Sequence, residues 1–224
     1  PRDGYRGWIL RKKMNGLTLN DWIQNWHTVN LNTLVFDEQM FFTTVDTPKE
    51  DVIYYGTFRK HRIKDMMDYN NVNMVLSSST KNHAKYKDAG IQARFIEKIM
   101  WTEKEADLFE PVGLRLKDYK YSIYFEDEHT HSNYAFMANR FYECVMNNVL
   151  MFYDSRCQLV IDRSGYAVDP FQIVKNGGEL KLKMEMLNSD KQSYQHYLSI
   201  QQSNAEIIKS ERKQVLETIK GILQ

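Results

Sequence analysis

Four charged residues stand where charge needs a reason. In "ANRFYECVMNNVLMFYD" (138–154), Arg140 and Glu143 lie three residues apart on a helical pattern that runs straight into an apolar strand. In "YYGTFRKHR" (54–62), Arg59 and Arg62 follow Gly56 in the first turn of a helical pattern, where cations oppose the helix dipole. A bound phosphate would account for both, because guanidinium groups meet phosphate oxygens through paired hydrogen bonds and a helix start offers free N–H groups. The ordinary alternatives are solvated arginines after Gly56 and an intrahelical Arg140–Glu143 ion pair, which would contribute only about 0.2–0.5 kcal/mol. A third group lies in "FEDEHTHSNY" (125–134), where Glu126, Asp127, Glu128, His129 and His131 crowd one loop. Such side chains could bind sugar hydroxyls, hold a divalent metal or move protons. They have no recognised ligand spacing, and a solvated acidic loop competes with those readings.

The elements that must position these groups follow from periodicity. "DVIYYG", "NVNMVLSSS", "RFIEKI", "YKYSIYFED" and "VLMFYD" read as five short apolar strands. Between them lie helical patterns: Ile63, Met66 and Met67 at helical spacing; "TKNHAKYKDAG", with Thr80 as N-cap and Gly90 as stop; "TEKEADLFE", with Thr102 as cap and Glu105 at the capping-box position; and the helix carrying Arg140. The apolar face of that helix is Tyr134, Met137, Phe141, Cys144 and Val145, and Cys144 reads as core. Strands alternating with helices predict an α/β fold, a Rossmann-like parallel sheet with helices on both faces. Two C-terminal helices are expected from about Gly178 to Gln224. Residues 1–50 are less regular: a short helix in "LTLNDWIQNW", an alternating strand in "TVNLNTLVF", then a connector.

In an open parallel sheet, ligands bind beyond the carboxyl ends of the strands. An anion-binding turn after the first strand, an apolar shelf at Ile99 and Met100 after the third, and an Arg–Glu pair before the fifth point together to a nucleoside diphosphate. The guanidinium would meet the diphosphate and the carboxylate a ribose diol. No G-x-G-x-x-G and no G-x-x-x-x-G-K-[ST] occurs, so dinucleotide and P-loop binding have no support.

Composition sets outer bounds. The 224 residues are 42% hydrophobic and 26% charged with a net charge of +1, which neither demands nor excludes nucleic acid. No apolar run reaches the ~18–20 residues of a membrane span, so no membrane partner is expected. Two cysteines without metal or redox spacing suit a reducing, cytoplasmic setting.

The same segments resemble a known family. "DVIYYGTFRKHR" is similar to the segment opening the C-terminal domain of the DNA β-glucosyltransferases of T-even bacteriophages, where a strand ends in a Gly-Ser-Phe-Arg turn with a second Arg shortly after. "NRFYECVMNNVLMFYD" resembles that family's Arg-x-x-Glu helix, apolar strand and acidic residue, and "RFIEKI" lies between them in the same order. The spacing from Arg59 to Arg62 is shorter here, and the interval from Ile99 to Arg140 longer.

The resemblance, covering roughly Asp51 to Gln224, implies a two-domain glycosyltransferase of GT-B type. Residues 51–224 would be the nucleotide-sugar-binding domain, and residues 1–50 a remnant of the N-terminal acceptor domain with a connector. It implies a UDP-sugar donor, UDP-glucose, with Gly56, Thr57, Arg59, Arg62 and Arg140 on the diphosphate, Glu143 on the ribose and the backbone of Ile99 on the uracil. Glu126, Asp127, His129 and Asn133 would lie at the sugar end. The implied acceptor is hydroxymethylated cytosine in double-stranded DNA, in the host cytoplasm. The general base would be an Asp in the missing N-terminal domain, and a divalent metal is compatible but not required. Two other readings stay open: the same fold acting on a polysaccharide, lipid or protein, and a nucleotide-binding module without catalysis.

Overall fold

The computed structural model describes residue 33 and residues 46–97, 116–126 and 137–223. The expected helix and strand between Leu17 and Phe36, apart from Thr33, and the helix from Thr102 lie outside the described residues. Six strands form one sheet: β1 (Lys49–Tyr55), β2 (Met74–Ser77), β3 (Arg94–Ile96), β4 (Tyr119–Tyr124), β5 (Leu150–Asp154) and β6 (Ile173–Val174). Every neighbouring pair is parallel. Strands buried on both faces read as apolar runs rather than alternations. Accordingly all residues of β2 and β5 are buried, as are Val52, Ile53 and Tyr54 at the centre of β1.

The spatial order is β3-β2-β1-β4-β5-β6. The chain moves outward from β1 to β3, then returns to place β4 against the other side of β1. That reversal is the switch point of a doubly wound sheet, and the crevice beyond the ends of β1 and β4 is where such sheets bind ligands.

Helices cover both faces. On one, Ile53, Val75, Met151 and Tyr153 pack with α3 (Asn139–Met146) and α4 (Gln158–Ser164). On the other, Val52, Tyr54, Leu76 and Phe152 pack with α1 (Ile63–Met67), α2 (Thr80–Asp88) and α5 (Gly177–Ser189). The long α6 (Lys191–Leu223) serves both layers: Tyr194 and Leu198 join the second, Ala205 and Ile208 the first. Where it crosses, the buried Gln201 accepts from the Met151 amide (2.8 Å) and donates to the Val149 carbonyl (3.0 Å). It thereby satisfies backbone at the entry of β5 that would otherwise be buried without partners. Among the described residues no helix is long and apolar enough to cross a membrane.

Three details differ from the sequence reading. β6 is an additional strand of only two residues. The segment after Gly56 is a 3-10 turn (Lys60–Arg62) leading into the five-residue α1, so it is too short to build a substantial dipole for an anion. The cap position of α2 belongs to Ser79, not Thr80, and no side-chain bond caps it. Its C-terminus matches expectation: Gly90 sits at φ +82°, with the Gly90 amide on the Lys87 carbonyl and the Ile91 amide on the Tyr86 carbonyl. This paired pattern with a left-handed residue closes helices efficiently, and Ile91 packs with Tyr86 beneath it.

Candidate functional site

β1 delivers Tyr54 and Tyr55 to the switch point and ends at Gly56. The turn is gripped from β2, since the Gly56 amide donates to the Ser77 carbonyl (3.1 Å) and the Ser78 hydroxyl to the Gly56 carbonyl (2.7 Å). Gly56 has φ +154°, and a Cβ there would lie 3.2 Å from Arg140 Nη2 and 3.6 Å from Tyr54 Oη. Glycine therefore serves the close approach of a guanidinium to the backbone.

Two of the three predicted arginines converge on that point. Arg62 comes from the 3-10 turn and Arg140 from the first turn of α3, and both are buried. Tyr54 Oη accepts from Arg62 Nη1 (3.2 Å) and from Arg140 Nη2 (3.5 Å). On the opposite side the Glu126 carboxylate, just past β4, pairs with Arg62 Nη2 and lies 3.7 Å from Arg140 Nη1. Arg140 is further fixed by Nε on the Tyr55 carbonyl (3.0 Å) and Nη1 on the Phe125 carbonyl (3.4 Å), with its guanidinium 4.9 Å over the Tyr54 ring. A buried guanidinium needs this many acceptors, because desolvation without partners is costly.

The cluster perturbs the phenols around it. Burial alone would raise the Tyr54 pKa, but Arg140 and Arg62 beside the ring oxygen hold it below the ordinary value. Tyr55 goes the other way: burial, followed by the neighbouring Glu143 carboxylate, pushes it well up. Tyr55 donates to Glu143 Oε2 at 2.5 Å, a short charge-assisted bond. Burial also raises the Cys144 thiol to about 12, in keeping with a core role.

The predicted residues therefore divide. Gly56, Arg62, Arg140, Glu143 and Glu126 lie around one point at the strand ends. Arg140 and Glu143 turn to different hydrogen-bond partners, the former to Tyr55 and Phe125 carbonyls and the latter to the Tyr55 phenol. Arg59 is half-buried and Thr57 exposed. Among the described residues Arg59 makes no hydrogen bond or ion pair with the cluster. Ile99, Asp127, His129 and Asn133 lie outside the described residues. Sequence reasoning missed Tyr54, which sits between the two guanidiniums. The available signal was its position at the carboxyl end of the first strand.

No family model matches the chain, and no curated protein does. Solved structures do. A variant of T4 phage β-glucosyltransferase in complex with UDP-glucose is 18% identical with a TM-score of 0.62, covering 81% of this chain and 50% of that one. The DNA-modifying enzyme β-glucosyltransferase, with and without uridine diphosphoglucose, is 19% identical with a TM-score of 0.60, covering 83% and 55%. The T4 phage enzyme with UDP and Mn2+ is 18% identical with a TM-score of 0.60, covering 82% and 50%. The chain thus spans about half the length of these proteins. Over that half, the six-stranded parallel sheet and its surrounding helices share the α/β fold of the T4 phage β-glucosyltransferase.

Proposed function

We propose that this chain is the donor half of a glycosyltransferase that moves glucose from UDP-glucose to a hydroxyl, the acceptor being hydroxymethylated pyrimidine in phage DNA. One observation carries the reading: Arg62 and Arg140, brought from separate elements, converge at the switch point of a sheet whose structural neighbours are described with UDP-glucose. In this reading residues 51–224 bind the donor. Gly56 lets the diphosphate approach the backbone, Arg62 and Arg140 face the diphosphate, Glu143 takes the ribose hydroxyls, and Thr57 and Arg59 stand at the open rim. The backbone at Ile99 reads the uracil, and Glu126, Asp127, His129 and Asn133 border the sugar.

The chemistry is displacement at the anomeric carbon. An acceptor hydroxyl loses its proton to a general base and attacks, while the bond to the diphosphate breaks. The departing UDP gathers negative charge, which the two preorganised guanidiniums stabilise in a site largely shut off from water. The base is assigned to a second domain, in keeping with the share of the T4 proteins that this chain spans. Among the described residues no three His, Cys, Asp or Glu side chains converge as a metal site.

The acceptor assignment has its own test. The full-length protein containing this chain, given UDP-glucose with labelled glucose, should label duplex carrying hydroxymethylcytosine and leave unmodified duplex unlabelled. It should also bind duplex in a salt-sensitive manner. Labelling of a polysaccharide or protein in place of DNA would overturn the acceptor and keep the donor.

A further inference from the structure

We infer that Glu126 is a built-in competitor for the diphosphate, a carboxylate that holds Arg62 and Arg140 and has to be expelled when the donor binds. The inference rests on the donor reading above and adds a residue that sets how tightly that site takes its ligand.

Hydrogen-bond accounting at Arg140 comes first. A guanidinium has five N–H groups. Nε is taken by the Tyr55 carbonyl, one N–H of Nη1 by the Phe125 carbonyl and one N–H of Nη2 by Tyr54, while the second N–H of Nη1 faces the Glu126 carboxylate as an ion pair at 3.7 Å. The remaining N–H belongs to Nη2, the atom lying close to Gly56. An anion arriving there meets Arg140 at a single point, and Arg62 Nη2 is already paired with Glu126.

Access comes second. The side chains of Arg62, Glu126 and Arg140 are 10%, 6% and 9% exposed. Two guanidiniums bridged by one carboxylate present the geometry in which a phosphate would be held, since both anions accept paired N–H bonds. Carboxylate and diphosphate therefore compete for the same donors.

The carboxylate is the partner that yields. Arg140 is tied to two main-chain carbonyls and a phenol, and Arg62 to the same phenol. Glu126 instead lies beyond the last ladder residue of β4, at Tyr124. The guanidiniums keep their places while the carboxylate turns away. Charge points the same way: a diphosphate sets more negative charge against the two guanidiniums than the single carboxylate of Glu126 does.

Removing the competitor should then tighten the site. By titration calorimetry, Glu126→Gln should bind UDP at least about tenfold more tightly than the wild-type chain. Glu126→Asp keeps the charge at shorter reach, so it should gain less but in the same direction. It carries the test if the Gln variant, with two buried guanidiniums deprived of their shared carboxylate, does not fold. Affinity equal to or below wild type in the folded variants, with UDP still bound by the wild type, would overturn the inference and leave the donor site standing. Failure of UDP to bind the wild type would instead remove the donor reading and this inference with it.

Discussion

Replacing Arg140 by alanine should lower the affinity for UDP by about a hundredfold or more. The side chain is buried, and its orientation is fixed by the Tyr55 and Phe125 carbonyls, so it meets a ligand without an ordering cost. Truncating one member of a desolvated charge pair costs about 2–5 kcal/mol, and every 1.4 kcal/mol is tenfold in affinity. Arg140→Lys should not restore binding, because an ammonium cannot reproduce the planar fork that spans the Tyr55 carbonyl, the Tyr54 phenol and a phosphate together. The measurement is a calorimetric UDP titration of each variant, with circular dichroism as the control for folding. Unchanged affinity in a folded Arg140→Ala chain would show that Arg140 is a structural cation.

The second large effect concerns stability. Asp154 ends β5 with 1% exposure and gathers several donors. Tyr69 Oη donates at 2.7 Å, Arg156 donates through Nε and Nη2 at 2.6 Å each, and the Arg156 amide at 2.9 Å. Arg156 also reaches Asp65 (2.8 Å) and Asp68 (3.0 Å), so this carboxylate ties β5 to α1 and to the residue that follows it. Burial, followed by the bond to Asp154, raises the Tyr69 phenol, consistent with a proton donor locked in the core.

Asp154→Ala would strip Tyr69 of its charged acceptor and leave it the Val174 carbonyl at 3.1 Å. Arg156 is 39% exposed, so solvent compensates for much of its lost pairing, and only part of the network counts. A loss of about 3 kcal/mol remains from the buried carboxylate bonds, which lowers the melting temperature by about 10 °C for a chain of this size. Differential scanning calorimetry checks it. A melting temperature within a degree or two of wild type would mean that the network contributes nothing net.

Much of this architecture was legible in the sequence, for identifiable reasons. The centre of β1 and most of β2, β4 and β5 are buried and therefore announce themselves as short apolar runs closed by Gly56, by the serines after Leu76 or by Asp154, whereas the partly exposed edge strand β3 shows only the brief apolar run Phe95–Ile96. β6 did not, because two residues carry no period. Arg140 and Glu143 could be picked out since charge is conspicuous on a helix otherwise apolar all round. What they touch could not be read, because their partners arrive through topology. Tyr54 and Glu126 become neighbours only when β4 pairs beside β1, a long-range event invisible to local pattern. The 3-10 turn at Lys60–Arg62 was hidden for a related reason: tertiary contacts hold Arg62, and helical periodicity at Ile63 and Met66 read as a longer helix than the chain forms.

The central claim is that the switch point between β1 and β4 holds a nucleoside diphosphate. The most direct measurement is a pair of calorimetric titrations of the wild-type chain, one with UDP and one with uridine. Saturable one-to-one binding of UDP is expected, at least about tenfold tighter than uridine, since uridine lacks the diphosphate assigned to the Arg62 and Arg140 guanidiniums. Equal affinity for the two ligands, or no binding of UDP, would contradict it.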